Sequence, residues 1–308
     1  MFLLETIQRE SVIRFPFLGD LTLNPPASFS VFGREIYFYG VIIALGFVLG
    51  ILYCARRAPE FGIRSDDVYD MMLWMIPLSI LGARLYFVLF QAEYYLAHPA
   101  EILAVWEGGL AIYGGIISGV LVAFAFCRLR HISFPAMLDV MSFGVLIGQA
   151  LGRWGNFFNR EVFGEYTDSL FAMRLPVSMV RPSDISDSIA AHMEAGTNYI
   201  QVHPTFLYEG MWNLMVFAVM VFWLKKKIKR FHGEIFLVYL AGYGIGRAII
   251  EHIRTDQLYI PGTRLPVSMV LGIVIACCSV LVIVVGRTRA GKRMSSGSGS
   301  SDSLSSIS

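Results

Sequence analysis

The run YFYGVIIALGFVLGILYCAR, residues 37–56, holds no acid, and its one base is the residue that closes it. An α-helix rises 1.5 Å per residue, so about twenty such residues cross a hydrocarbon core of ~30 Å. Working outward, six further apolar runs of similar reach lie at about 70–90, 110–127, 136–153, 205–224, 235–253 and 267–286. The composition agrees: of 308 residues 56% are hydrophobic and only 16% charged, with mean hydropathy +0.60. A soluble domain carries roughly a quarter charged residues. A membrane β-barrel would show short alternating segments separated by turns, and the sequence has none. The expected fold is an all-α polytopic membrane protein with seven transmembrane helices.

Lys and Arg between the runs set the orientation. Arg56, Arg57 and Arg64 follow the first span, Arg128 and Arg130 the third, and KKKIKR, residues 225–230, the fifth; Arg287, Arg289, Lys292 and Arg293 follow the last. The opposite side has fewer basic residues, half of them in one long loop. The N-terminus is therefore expected outside and the C-terminus in the cytoplasm. Residues 1–36 read as an N-terminal extracytoplasmic segment without the basic start and unbroken apolar core of a cleavable signal. Residues 37–286 read as the membrane domain, with an extracytoplasmic cap at 155–204. Residues 287–308 read as a basic, then Ser/Gly-rich, disordered cytoplasmic tail. Cys54, Cys127, Cys277 and Cys278 all fall in or beside apolar runs and read as buried small hydrophobes, without disulfide or metal spacing. The heptapeptide RLPVSMV occurs at 174–180 and again at 264–270; a shared helix start is the plain reading.

Ionisable groups at membrane depth cost several kcal/mol and mark function by default. With the orientation fixed, Arg84, Arg153, Arg247, Glu251 and Arg254 all fall towards the outer side. So do Tyr39, Tyr113, His203, Tyr208 and Glu209 at the starts of inward-running spans. Arg247, Glu251 and Arg254 stand at i, i+4 and i+7 on one helix face. Adding Arg84 and Arg153 leaves a surplus of positive charge, the signature of a pocket for a lipidic anion, and the planar guanidinium suits phosphate oxygens. Asp139 is about 20 Å lower on the helix that carries Arg153 and is expected to hold that helix's cytoplasmic end. Gly108, Gly109, Gly114, Gly115, Gly119, Gly242, Gly244 and Gly246 read first as close helix contacts.

These residues resemble a known family. LGRWGNFFNREVFGE, residues 151–165, is similar to the signature of prolipoprotein diacylglyceryl transferases. FYG at 38–40, GARLYFVLF at 82–90, VWEGGLAIYGG at 105–115, HPTFLYEG at 203–210 and GIGRAIIEHIRTD at 244–256 match in the same order. The resemblance covers roughly residues 36–286. It implies a bacterial inner-membrane enzyme, active site facing the outer leaflet, whose partners are phosphatidylglycerol and the signal peptides of prolipoproteins. The diacylglyceryl group passes to a lipobox cysteine thiol, forming a thioether and releasing glycerol-1-phosphate. No cofactor, metal or nucleic acid is implied.

By the same resemblance Arg153 holds the phosphatidylglycerol headgroup; to it we add Arg247 as its partner and Asn156 as a donor to headgroup oxygens. Glu161 and Gly164 complete the signature, Tyr39 contacts the lipid or lines its entry, and Glu209 and Glu251 keep arginines in place. Many relatives carry His where this chain has Tyr113. A phenol with a pKa near ~10 is a poor acceptor at neutral pH, so the thiol proton is left to water, His203 or the departing phosphate.

Three other classes fit less well. A carrier or flippase for anionic lipids would spread its polar sites through the membrane or show inverted repeats. A seven-helix receptor explains neither the arginines nor the loop signature. An intramembrane protease would need a Gly-x-Ser-x-Gly or His-Glu-x-x-His motif, and neither is present.

Overall fold

The computed structural model describes residues 12–193, 196–255 and 257–298. Among these, helices α1 (Phe38–Arg57), α2 (Ser65–Phe90), α4 (Ile112–Leu129), α5 (Phe134–Asn159), α7 (Thr205–Lys225) and α9 (Val267–Ser298) are each long and apolar enough to cross a membrane. The class is therefore a polytopic helical membrane protein. Helix α8 (Glu234–Glu251) has the length but carries Glu234, Arg247 and Glu251. Short helices α3 (Ala92–Ala97) and α6 (Asp187–Ala191) lie in connections. The last helix runs on to Ser298, past the expected boundary at 286; the rest of the tail lies outside the described residues.

The chain divides into two compact units. The second comprises residues 50–144 and 232–236. Here α2 and α4 pack through glycines: a Cβ on Gly114 would strike the Gly82 carbonyl, and one on Gly119 would come within 3.1 Å of Ser79 Oγ. Close small-residue contact is what joins helices where no hydrophobic effect separates them from lipid. Pro77 sits inside α2. Asp139, wholly buried, accepts hydrogen bonds from the Gly233 and Phe236 amides at 2.8 and 2.9 Å. It thus caps the start of α8 with a carboxylate, satisfying amides that have no partner within the helix. The expectation that Asp139 serves its own helix is corrected: its carboxylate serves the start of α8.

The first unit comprises the described residues within 12–49, 145–231 and 237–298. In it α1 meets α5 where Gly148 faces Gly46 and Gly152 faces Ile43, and α8 meets α9 where Gly244 faces Gly272. The same unit holds all the strands among the described residues, which the all-α expectation omitted. β1 (Ile13–Phe15), β2 (Leu21–Leu23), β5 (Met173–Pro176) and β6 (Tyr199–Val202) form an antiparallel sheet ordered β2-β1-β5-β6, and β3 (Ser28–Val31) and β4 (Arg34–Tyr37) form a hairpin running straight into α1. Strands β1 and β2 of the N-terminal segment and β5 and β6 of the expected cap thus share one sheet. Alternation explains it: Ile13, Phe15, Met173, Leu175, Ile200 and Val202 point to one face and join Phe157, Phe163 and Phe206 in a buried core. Each such side chain contributes roughly 1.5–3 kcal/mol by leaving water.

Two details correct the sequence reading. In both copies of the heptapeptide the Val after Pro opens a helical turn, but the first copy ends strand β5 and stops after one 3-10 turn, Val177–Met179, whereas the second opens α9 at Val267. Cys54 and Cys127 are buried as expected, whereas Cys277 and Cys278 are exposed on α9.

Candidate active site

Helix α5 delivers Arg153 and, one turn later on the same face, Asn156. Arg153 Nη2 lies 2.5 Å from Glu209 Oε2, on the first turns of α7. The other Glu209 oxygen accepts from Arg254 Nη1 at 3.2 Å. Arg254 Nε is 3.9 Å from Glu251 Oε2, and that oxygen is 2.8 Å from Arg247 Nη2. The order is Arg153–Glu209–Arg254–Glu251–Arg247, an alternating chain of three cations and two anions with one net positive charge.

Burial along this chain is uneven. Glu209, Glu251 and Arg254 are buried, whereas the terminal arginines keep about a quarter of their side chains exposed, 26% for Arg153 and 24% for Arg247. A buried charge is tolerable only when paired, and each carboxylate here is shared between two guanidinium groups. The arginines an incoming anion can reach are therefore the two ends. Both line one small hollow with Glu209, Trp212, Tyr243, Gly246 and Ile250. Trp212 is fixed there by donating from Nε1 to the Gly242 carbonyl at 2.8 Å. Trp212 and Tyr243 were not singled out in the sequence, although they stand at i+3 from Glu209 and i−4 from Arg247.

The signature continues beyond α5 as a strained turn. The Glu161 amide bonds back to the Asn156 carbonyl and the Arg160 amide to the Phe157 carbonyl, at 3.1 and 3.2 Å, a Schellman closure. Such a closure needs a left-handed residue, usually glycine; here Arg160 fills it at φ 54°, and Val162 follows at φ 56°. A β-branched residue at positive φ is a genuine outlier, and such strain concentrates at functional sites. Surrounding contacts enforce the turn. Arg160 Nη2 donates to Asn24 Oδ1 and the Pro25 carbonyl at 3.3 and 3.2 Å, and the Thr205 hydroxyl donates to the Val162 carbonyl. Burial pushes the Arg160 guanidinium below its ordinary value. Glu161 is held by Asn156 and Asn159, each donating from Nδ2 at 3.2 Å, and by Arg181 at 3.2 Å.

Gly164 then passes between two neighbours. It bridges to Arg254, and its amide donates to the His203 carbonyl at 3.0 Å. A Cβ here would lie 2.5 Å from the Ile253 carbonyl and 2.9 Å from His203 Cβ, so only glycine fits. His203 Nδ1 lies 3.2 Å from the Tyr208 hydroxyl, and burial holds its imidazole below the usual histidine value. Tyr39 lays its ring over Gly155, where a Cβ would come within 2.7 Å of it.

Arg153, Asn156, Glu161, Gly164, His203, Glu209, Arg247, Glu251, Arg254 and Tyr39 thus belong to one unit. Arg84 and Tyr113 belong to the other. Arg84 is 2% exposed and donates to the Ile102, Gly108, Gly109 and Glu101 carbonyls at 2.9, 2.8, 3.2 and 2.6 Å. Its guanidinium is occupied in shaping the loop after α3, under the face of Tyr95 at 5.1 Å. Tyr113, at the start of α4, is 64% exposed.

The fold and this site define a class: a polytopic helical membrane protein that keeps a charge-linked arginine cluster beside a glycine-closed, strained loop. The family model of prolipoprotein diacylglyceryl transferase matches residues 26–285. The chain is 40% identical over 265 residues to the phosphatidylglycerol–prolipoprotein diacylglyceryl transferase of Limosilactobacillus reuteri, covering 86% of this chain and 92% of that one. It is 41% identical over 260 residues to the protein of the same name from Enterococcus faecalis, covering 84% and 90%. The protein of that name from Bacillus licheniformis is 37% identical over 268 residues, covering 86% and 94%. The chain belongs to the prolipoprotein diacylglyceryl transferase family, as its motifs imply, and is a transferase.

Proposed function

We propose that the two terminal arginines of the alternating chain, Arg153 and Arg247, grip the phosphate of phosphatidylglycerol while its diacylglyceryl group passes to a prolipoprotein cysteine. The cysteine sulfur attacks the glycerol carbon that bears the phosphate ester. A C–S bond forms, the C–O bond breaks with its electron pair, and glycerol-1-phosphate leaves. The thiol proton goes to water, to neutral His203 or to the phosphate itself. Negative charge on phosphate grows as the bond breaks, so cations already in position hold the transition state more tightly than the ground state. A thiol has a pKa near ~8.5, and nearby positive charge lowers it.

The observation that carries this reading is the pair of partly exposed arginines at the ends of an otherwise buried, net-positive ion chain. Glu209 and Glu251 aim them; Asn156 and Glu161 shape the adjoining loop with headgroup hydroxyls as their partners; Gly164 keeps Arg254 beside His203. Tyr39 contacts the lipid, Tyr113 hydrogen-bonds a lipid headgroup, and Arg84 orders the loop after α3. Helix α8 is the seventh span, its charges satisfied within the protein. The Lys and Arg distribution favours the N-terminus, the sheet and the arginine chain outside, facing the outer leaflet of the bacterial inner membrane, where a translocated signal peptide presents its cysteine.

The test is purified protein in phosphatidylglycerol vesicles with a lipobox peptide, read by mass spectrometry. A gain of one diacylglyceryl unit on cysteine, falling at least ~100-fold in Arg153→Gln and Arg247→Gln, is expected. Unmodified peptide together with lipid moved between leaflets would establish a carrier instead.

A further inference from the structure

One turn further into the bundle than the arginine chain lies a set of uncharged polar groups that the transfer chemistry leaves unused. Arg153 stands near the end of α5, Glu209 near the start of α7 and Arg247 near the end of α8. Gln149, Asn213 and Tyr243 share their helix faces, each four residues and so about 6 Å farther from those ends. Asn213 is buried, and Tyr243 lines the hollow of the two terminal arginines. Gln149 Nε2 donates to the Tyr239 hydroxyl at 3.2 Å, and the Tyr239 ring lies 6.1 Å from that of Tyr243. All of these groups belong to one unit, so the Gln149 amide sits one helical turn from the site of the arginines.

The other end of that amide is an orphan. Gln149 Oε1 is buried and has no hydrogen-bond partner among the described residues. Joining α5 to α8 needs only one end of an amide, and burying the second end unpaired is costly away from water. An acceptor in this state calls for a donor. Phosphatidylglycerol offers none at this level: its hydroxyls lie beyond the phosphate, and its ester carbonyls are acceptors themselves. The polypeptide does, since every residue but proline brings a backbone N–H.

We infer that Gln149 Oε1 accepts a backbone N–H of the incoming polypeptide, at the cysteine or at a residue next to it, and so positions the sulfur. The inference rests on the transfer reaction proposed above. Displacement at a saturated carbon runs in line, with the nucleophile opposite the leaving oxygen. Arg153 and Arg247 hold that oxygen's phosphate at one end of the helices, so the sulfur belongs on the inner side, level with Gln149. Orientation of this kind is a large part of what an enzyme supplies to a two-substrate reaction. An extended segment entering the bundle also strips water from its amides, and an unanswered N–H there weakens binding.

The test couples one atom of the enzyme to one of the substrate. Lipobox peptides are made with the backbone N–H of the cysteine, or of the residue before or after it, replaced by an ester oxygen. Wild-type protein should lipidate one of these with kcat/KM roughly three- to tenfold below that of the all-amide peptide, the effect of one hydrogen bond. Gln149→Met should abolish that penalty. Gln149→Asn, which keeps the carbonyl but withdraws it, should leave an intermediate penalty. The ratio of ester to amide peptide is the readout, because lost folding or lost phosphate binding slows all the peptides alike and leaves it unchanged. Fluorescence anisotropy on the same peptides with serine in place of cysteine gives the ratio without turnover. Ester peptides that all match the amide peptide in wild-type protein overturn the assignment, and so does a penalty that persists undiminished in Gln149→Met. Coupling in the binding measurement with no lipidation of any peptide would leave the contact at Gln149 standing and overturn the transfer reading instead.

Discussion

At the scale of single residues, Glu209 is the hinge of the electrostatics. Each of its oxygens meets a different arginine, so Glu209→Gln leaves the cluster with one carboxylate among three guanidinium groups. Stability should fall by about 3–5 kcal/mol, the usual consequence of breaking a buried pair from one side, with transfer lost at least ~100-fold; chemical unfolding and the mass assay measure the two. Arg84→Lys tests the opposite kind of arginine. Three flexible donors cannot replace a rigid fork spread over four carbonyls. Limited proteolysis should therefore cut the loop at 101–109 faster, with membrane insertion unchanged. His203 supplies a pH dependence. Its native pKa is depressed by burial, so the unfolded chain binds the proton more readily. The stability contributed by the neutral ring is full above the unfolded value of ~6.5 and declines as pH falls below it. His203→Gln should flatten that decline in melts taken from pH 7.5 to pH 5.5. Much of this was legible in the sequence: charges inside apolar runs announce themselves. Arg84 shows the limit. A guanidinium that satisfies itself on backbone carbonyls 17 to 25 residues away reads, in one dimension, like one awaiting a ligand.

At the scale of elements, local sequence and tertiary context part company. In the first copy of RLPVSMV the first three residues end strand β5, flanked by β1 and β6, and one 3-10 turn follows; in the second the helix that opens at Val267 runs on because an apolar run follows. Neighbours, not the heptapeptide, choose the conformation. The strands escaped notice for a related reason. Three- and four-residue strands are too short for an alternating pattern to stand out, and β1 finds β5 across some 160 residues of membrane domain. The helices, by contrast, followed from length and apolarity alone, and their glycines from the need for close approach. Gly244→Val should force α8 and α9 apart, since even a Cβ would collide with the Gly272 carbonyl; overpacking of this kind costs typically 1–3 kcal/mol, measurable as lower thermal stability in detergent. Val162→Gly should relieve the left-handed strain and raise stability by about 1 kcal/mol, while loosening the loop that Arg160 and Thr205 hold and so lowering the transfer rate.

At the scale of the whole molecule, the proposal joins a helical membrane protein, a sheet assembled from two distant segments, and an ion chain whose buried members position its partly exposed ends. Orientation has a direct check. An introduced cysteine at Asp168, on a background with the four native cysteines replaced, should react with a membrane-impermeant maleimide in intact cells, and one at Arg64 only after permeabilisation. The central claim is that Arg153 and Arg247 hold the lipid phosphate. Solid-state NMR dipolar recoupling between ¹⁵N-labelled guanidinium groups and the ³¹P of phosphatidylglycerol measures that contact itself. The account predicts nitrogen–phosphorus separations of about 4 Å, the reach of a charge-assisted hydrogen bond, which disappear in the Arg153→Gln, Arg247→Gln double variant. A wild-type protein that lipidates peptide yet shows no such coupling, or coupling that survives in the double variant, would contradict it.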